Sequence, residues 1–214
     1  MTDKEVYAGA DRAVKQLNRK NLQLFGRLKL AKFDEITLLR EVNDVYAQSE
    51  TMARQRYWEV AVDAYIMAYL LCGKDNREAT ERADLTITGD WVLDIMEMVD
   101  PVTMYRFTDE ADRKAQRLTE ALSVAQNKSA EVDKALKYWA AQIGQYAITI
   151  VDAAMIQAFQ DVGVEEVQWH TKEDERVCEE CEDLDLKIFP IEKVPNKPHW
   201  GCRCWLTPVT DKRF

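Results

Sequence analysis

Five side chains in the last quarter of the chain, Cys178, Cys181, His199, Cys202 and Cys204, stand in the pattern C-x2-C-x17-H-x2-C-x-C. Two short clusters of soft or borderline donors, separated in sequence, are what a closed tetrahedral zinc site requires once folding brings them together. The consequence for the fold is strong. The roughly 50 residues after Gly163 cannot bury enough apolar surface to fold firmly alone. A bound ion supplies the missing staple, because the ligands are gathered only in the folded state and binding then contributes folding free energy. Only one other cysteine, Cys72, and one other histidine, His170, occur, so metal chemistry is confined to this end.

Tetrahedral coordination leaves one of the five candidates over. Cys202 and Cys204 point the same way if they lie on a strand. Cys178, Cys181 and one or both of that pair are therefore the firmer ligands, with His199 completing the set if only one of the pair binds. A redox disulfide and plain reduced cysteines are the competing readings. Neither cysteine pair sits in the βαβ context that a redox site favours.

The rest of the chain reads as helix. Its 214 residues contain seven glycines and five prolines, with 47% hydrophobic and 31% charged residues, which favours long helices around one substantial core. The fold class expected is mainly α, with an N-terminal multi-helix bundle over residues 1–163 and a small β-containing, zinc-stapled module over 164–214. Asp34 is placed to cap a long helix or helix pair reaching Cys72-Gly73, with Leu38, Val42, Val45, Trp58, Ala61, Tyr65 and Tyr69 inward. Lys74 to Asp90 reads as a polar loop with a short strand or turn near Leu85. Trp91 to Met98 reads as a short helix that Asp100-Pro101 stops, and Thr108 as the cap of a charged helix. From Ser129 onward, Val132, Leu136, Trp139, Ile143, Tyr146 and Ile150 form one stripe. Gln142, Gln145, Thr149 and Asp152 form another. Asp63 and Asp152 are taken as solvent-facing members of polar stripes rather than a catalytic pair. After Gly163, loose alternation over 164–169, 184–189 and 204–206 predicts three strands.

Charge narrows the partners. A formal net charge of −9 argues against a chain that coats nucleic acid. Between Arg12 and Phe33, however, Arg12, Lys15, Arg19, Lys20, Arg27, Lys29 and Lys32 occur without an acidic residue. That helix touches DNA or an acidic partner, or is simply a solvated face. The polar, acidic start carries no signal peptide, and no apolar run of about 18 residues spans a membrane, so synthesis in a reducing cytoplasm is expected.

No catalytic constellation emerges. H-x-E followed downstream by P-C-x2-C, as in zinc deaminases, is not matched by His170 and Cys178, and no H-E-x-x-H helix occurs. A thiolate-rich, closed site leaves zinc no open position. The site is read as structural and the chain as a non-enzyme without a small-molecule substrate.

The stretch from Trp169 through Asp174, Arg176, Cys178 and Cys181 to Leu184-Asp185, then Pro198-His199-Trp200-Gly201-Cys202-Arg203-Cys204, resembles the C-terminal signature of the Mu protein F-like head-morphogenesis family of tailed phages. Carried over residue by residue, the resemblance covers Trp169, Asp174, Arg176, Arg203 and the five metal candidates. On physical grounds Asp174 is expected to accept backbone N–H groups near the ligands or to pair with Arg176 or Arg203, and Trp169 to pack over the site. Leu186 departs from the resemblance, standing where the family has glycine after Leu-Asp. The resemblance implies a virion component made in the bacterial host cytoplasm, a minor head protein at the portal vertex inside the head, acting in assembly and in DNA packaging or ejection. Its partners would be the portal and other head proteins, with phage DNA reached through the basic first helix. Two alternatives stay open: a cytoplasmic zinc protein associated with nucleic acid, and a toxin or nuclease built on the same module. Against the first, residues 165–214 hold 12 acidic and 8 basic side chains.

Overall fold

The computed structural model describes residues 1–30, 34–172 and 177–209. Its helices are α1 (Asp3–Val6), α2 (Ala8–Leu30), α3 (Glu35–Leu71), α4 (Asn76–Thr86), α5 (Gly89–Glu97), α6 (Phe107–Val124) and α7 (Lys128–Asp161). The C-terminal part adds β1 (Glu166–His170), α8 (Glu179–Leu184), β2 (Ile188–Pro190), a single 3-10 turn (Ile191–Lys193) and β3 (Trp205–Pro208). The expected class, mainly α with a small C-terminal sheet, is what is observed.

Two long helices organise the bundle. The 37 residues of α3 and 34 of α7 pack along each other, each about 50 Å long at 1.5 Å per residue. Helix α2 packs on both, and so does α6, so these two occupy opposite grooves of the α3/α7 pair. A chain of rings joins all four: Phe25 of α2 meets Tyr46 of α3, Tyr46 meets Trp139 of α7, and Trp139 stacks on Phe107 of α6. Buried Trp139 and the neighbouring Tyr57 find internal partners for their polar tips. Trp139 Nε1 donates to Ser49 Oγ at 2.7 Å, and the Tyr57 hydroxyl donates to the Ile143 carbonyl at 2.8 Å.

Local chemistry explains the boundaries. Asp34 caps α3 by accepting from Thr37 N, as expected. The single helix that follows ends at Cys72-Gly73, where Gly73 adopts φ 74°. Helix α7 ends in a Schellman arrangement: Val164 N donates to the Phe159 carbonyl and Gly163 N to the Gln160 carbonyl, with Gly163 at φ 78°. That turn delivers the chain into β1.

Four local expectations need correction. Residues 76–86 are helix α4 rather than loop or strand. Asp75 caps it, and the small side chains of Ala79 and Ala83, fully buried, let it lie close to α3. Trp58 is 41% exposed and only its Nε1 is tied down, to the Ile87 carbonyl, while the adjacent Tyr57 faces the core. Helix α6 starts at Phe107, ahead of Thr108, because burial of Phe107 and not a side-chain cap fixes its first turn. Asp152 does not face solvent. Its side chain is 21% exposed and lies between α7 and the C-terminal module, whereas Asp63 is 64% exposed beside Arg12.

The C-terminal sheet has the order β2-β1-β3 with both pairings antiparallel. Trp169 on the central strand is opposite Leu206, and Val167 lies between Phe189 and Pro208. Three strands replace the three expected, with β2 beginning later: Leu184 ends α8 and Leu186 is a turn residue.

Candidate metal centre

All five donor residues gather on one side of the sheet. Cys178 caps α8, and its Sγ accepts from Cys181 N at 3.4 Å, so the first cluster is a tight turn into a helical start. The second cluster is a turn of its own: Cys202 N donates to the His199 carbonyl, and Gly201 between them adopts φ 72°. A side chain at Gly201 would be strained there. Cys202 and Cys204 precede β3 rather than lie on it, yet both face Cys181.

Donor atoms fall into two triads, Cys178–Cys181–His199 and Cys181–Cys202–Cys204, each with all separations within 4.8 Å. Cys181 belongs to both. Its Sγ lies 3.3 Å from His199 Nε2 and 3.6 Å from Cys202 Sγ. Tetrahedral zinc, with Zn–S about 2.3 Å and Zn–N about 2.0 Å, needs edges of about 3.8 Å between sulfurs and about 3.5 Å from sulfur to nitrogen. The two separations from Cys181 are close to those edges, and Cys181 is the donor common to both triads.

Hydrogen bonding prepares the histidine. His199 Nδ1 lies 3.0 Å from the Trp200 carbonyl, which can only accept, so Nδ1 carries the proton and Nε2 presents its lone pair toward Cys181. The thiols are unequal in the metal-free chain. The Cys204 thiol and the nearby Lys197 ammonium bring Cys202 down to about 6, and the N–H of Cys181 lowers Cys178. Burial pushes Cys181 up to about 12, and the hydrogen bond to Cys202, followed by burial, raises Cys204. Binding a cation displaces protons from those ligands that hold them.

The surroundings tie this centre to the bundle. Gln145 of α7 accepts from Gly201 N at 2.8 Å. Lys197 reaches Asp152 at 3.1 Å and donates to Tyr7 Oη at 2.6 Å and to the Cys204 carbonyl. Tyr7, fully buried between α1 and α2, has one phenolic proton and two acceptors in reach, the Cys204 carbonyl at 2.7 Å and Asp152 at 2.8 Å. Burial raises the Asp152 carboxyl above its ordinary range, opposed by Lys197 and the Tyr7 hydroxyl. Tyr7, Gln145, Asp152 and Lys197 were not identified as site residues from the sequence. Their one signal was an aspartate inside an apolar stretch.

Among the residues flanking the ligands, Trp169 is buried at 2% exposure in the same cluster as Cys181, Cys202 and Cys204. Arg203 makes a two-pronged pair with Asp11, at 2.9 and 3.2 Å, and lies over the Tyr7 ring. Asp174 and Arg176 lie outside the described residues. Asp185 accepts from Thr171 N at 2.8 Å and so fastens the end of α8 to the strand. Leu186 has φ 58°. The left-handed conformation explains why glycine suits this place in the family pattern, and leucine occupies it here with backbone strain. His170 is no ligand: its Nε2 bonds Thr207 Oγ1 at 2.7 Å and its ring stacks on Trp205. Cys72 is remote, donating to the Ala68 carbonyl with its thiol pushed up to about 11 by burial.

The basic helix is not brought to the metal centre as a group. Arg12 pairs with Asp63 and Lys29 with Asp133. Lys15, Arg19, Lys20 and Arg27 are exposed, and Lys32 lies outside the described residues. No described helix is long and apolar enough to cross a membrane.

No curated protein and no solved structure matches the chain. Residues 127–207 match the family model described as Phage Mu protein F like protein. The match begins at the N-cap of α7, runs through every metal candidate and ends in β3, so the family pattern includes the helix on which the module rests. Over this stretch the chain is similar to the Mu protein F-like family.

Proposed function

We propose that this protein is a minor structural component of a phage head, located in the virion and acting in head morphogenesis. The match over residues 127–207 carries this reading, together with donor geometry suited to a structural ion. At the finer level, the partner is the portal, the position is the portal vertex inside the head, and the role extends to genome packaging or delivery. Zinc is the ion, since soft thiolates with one imidazole in a tetrahedral array select it. The site is structural and the chain is not an enzyme: the donors, four thiols and one imidazole, fall into two triads sharing Cys181, and a thiolate-rich centre leaves zinc little Lewis acidity. Co-sedimentation with assembled portal rings tests the partner. The wild-type chain is expected to travel with the rings, and a zinc-loaded chain that stays in the supernatant would contradict portal association.

The exposed Lys15, Arg19, Lys20 and Arg27 of α2 are the DNA-contacting set in this reading, acting on phosphate without reading bases. Affinity for duplex DNA should fall with salt, and Arg19→Glu with Lys20→Glu should flatten that slope. Coincident salt curves for the variant and wild type would remove DNA from the account.

A further inference from the structure

Away from α2, cations also gather where α6 meets α7. Arg113, Lys114 and Arg117 project from α6 and Lys134 from α7, with the carboxylate of Glu131 among them, around two adjoining cavities of about 260 and 380 Å³ that share Lys114 and Tyr138. Buried Glu110 pairs with Arg113 and Lys114. Arg117 and Lys134 have no ion pair among the described residues. The floor is apolar, with Leu118, Ala121 and Ala135 beside Tyr46. At the far end Gln142, 3% exposed, lines the second cavity with an Nε2 that has no partner among the described residues.

Three aromatic side chains stand along this groove partly in solvent: Tyr138 at 57%, Trp200 at 45% and Tyr105 at 43% exposure. Beside them the 98–106 loop holds Met98, Val99 and Met104 outward. The loop is rigid by construction of its hydrogen bonds. Buried Asp100 accepts from Val102 N, Thr103 N and the Thr149 hydroxyl, and Met104 is fixed at φ 61° in the left-handed region. Exposed methionine and aromatic side chains on a preorganised backbone, next to unpaired arginine, have the composition of protein-interface cores.

We propose that this α6/α7 groove, with the 98–106 loop and Trp200, docks an acidic segment of a partner protein that inserts an apolar side chain between Tyr138 and Leu118. Charge complementarity selects the acidic occupant: the groove is basic on a chain of net charge −9. Nucleic acid fits less well, because two uncompensated cations neutralise only about two phosphates while the whole-chain field repels the polymer. Trp200 lies between His199 and Gly201, so the metal loop sets one wall of the groove. The metal centre thereby positions a binding surface as well as stapling its own module. The inference rests on the reading of the chain as an assembly component, which supplies a protein as occupant.

Fluorescence polarisation on the metal-loaded full chain tests it with a labelled peptide in which every fourth residue is leucine and the rest are glutamate. The chain should bind this probe about tenfold more tightly than polyglutamate of equal length, and Arg117→Glu or Tyr138→Ala should each weaken binding about tenfold. Trp200→Ala should do the same with helix content and metal content unchanged. Equal affinity for polyglutamate, tighter binding of oligothymidylate that Arg117→Glu abolishes, or no binding of the leucine-containing peptide would overturn the proposal. The assay contains no head component, so its failure is distinguishable from failure to bind portal rings.

Discussion

The α2–α3–α6–α7 bundle and the C-terminal module keep their shape by different means. In the bundle, buried rings from four helices interlock and Trp139 finds its hydrogen-bond partner in Ser49, so removing any one contact leaves a core behind. The module has a three-stranded sheet of short strands, a helix of six residues and a cluster of thiols, and it leans on the bundle through Tyr7, Gln145 and Asp152. Apolar area is sufficient in one region and a specific set of bonds substitutes for it in the other. The comparison teaches that the two regions should fail separately.

The largest expected effect is on the module. Cys181→Ser removes the vertex shared by both donor triads, so metal is lost and residues 164–209 unfold, while helical circular dichroism stays near the wild-type value. Loss of most helicity would show that bundle and module are one cooperative unit. The converse substitution is Trp139→Ala, which empties the centre of the ring cluster and should cost about 4 kcal/mol in denaturant unfolding without releasing metal at low denaturant. Metal released in parallel with that destabilisation would blur the distinction. At the junction, Asp152→Ala leaves the Lys197 ammonium without its carboxylate and should cost about 3 kcal/mol, measured as earlier unfolding of the module. Pairing Asp152→Leu with Lys197→Met should recover most of the loss, because the unpaired charge is what costs. Smallest of all, Leu186→Gly relieves a left-handed leucine and should stabilise the module by about 1 kcal/mol in thermal melts of the metal-loaded chain. A destabilised glycine variant would mean that Leu186, although 61% exposed, is held by packing.

Legibility from sequence follows the same division. The α7 stripe was plain because Val132, Trp139, Ile143, Tyr146 and Ile150 repeat with helical period and are all buried. The metal donors were plain because cysteine and histidine are scarce in the chain and clustered. Residues 76–86 were misread because α4 presents only Ala79 and Ala83 to the core, and two small side chains make too faint an apolar stripe to show against charged neighbours. Asp152 and Gln145 were misread for a deeper reason. A polar stripe on a helix signals solvent only when no other part of the chain arrives to bond it, and here the 197–204 segment does. Periodicity reports which face is polar, and tertiary structure decides what meets it. Leu186 shows the opposite case, in which a departure from a family pattern pointed to a backbone conformation that the structure then displayed.

The most direct test measures metal stoichiometry together with amide hydrogen exchange on the wild-type chain and on Cys181→Ser. The account predicts one zinc per wild-type chain and slow exchange in both α7 and β1. In Cys181→Ser it predicts no zinc, fast exchange throughout β1 and β3, and α7 protection retained around Trp139. A wild-type chain that binds no metal yet protects β1, or a variant that loses protection in α7 as fully as in β1, would contradict the claim that a metal centre staples a module onto a self-sufficient bundle.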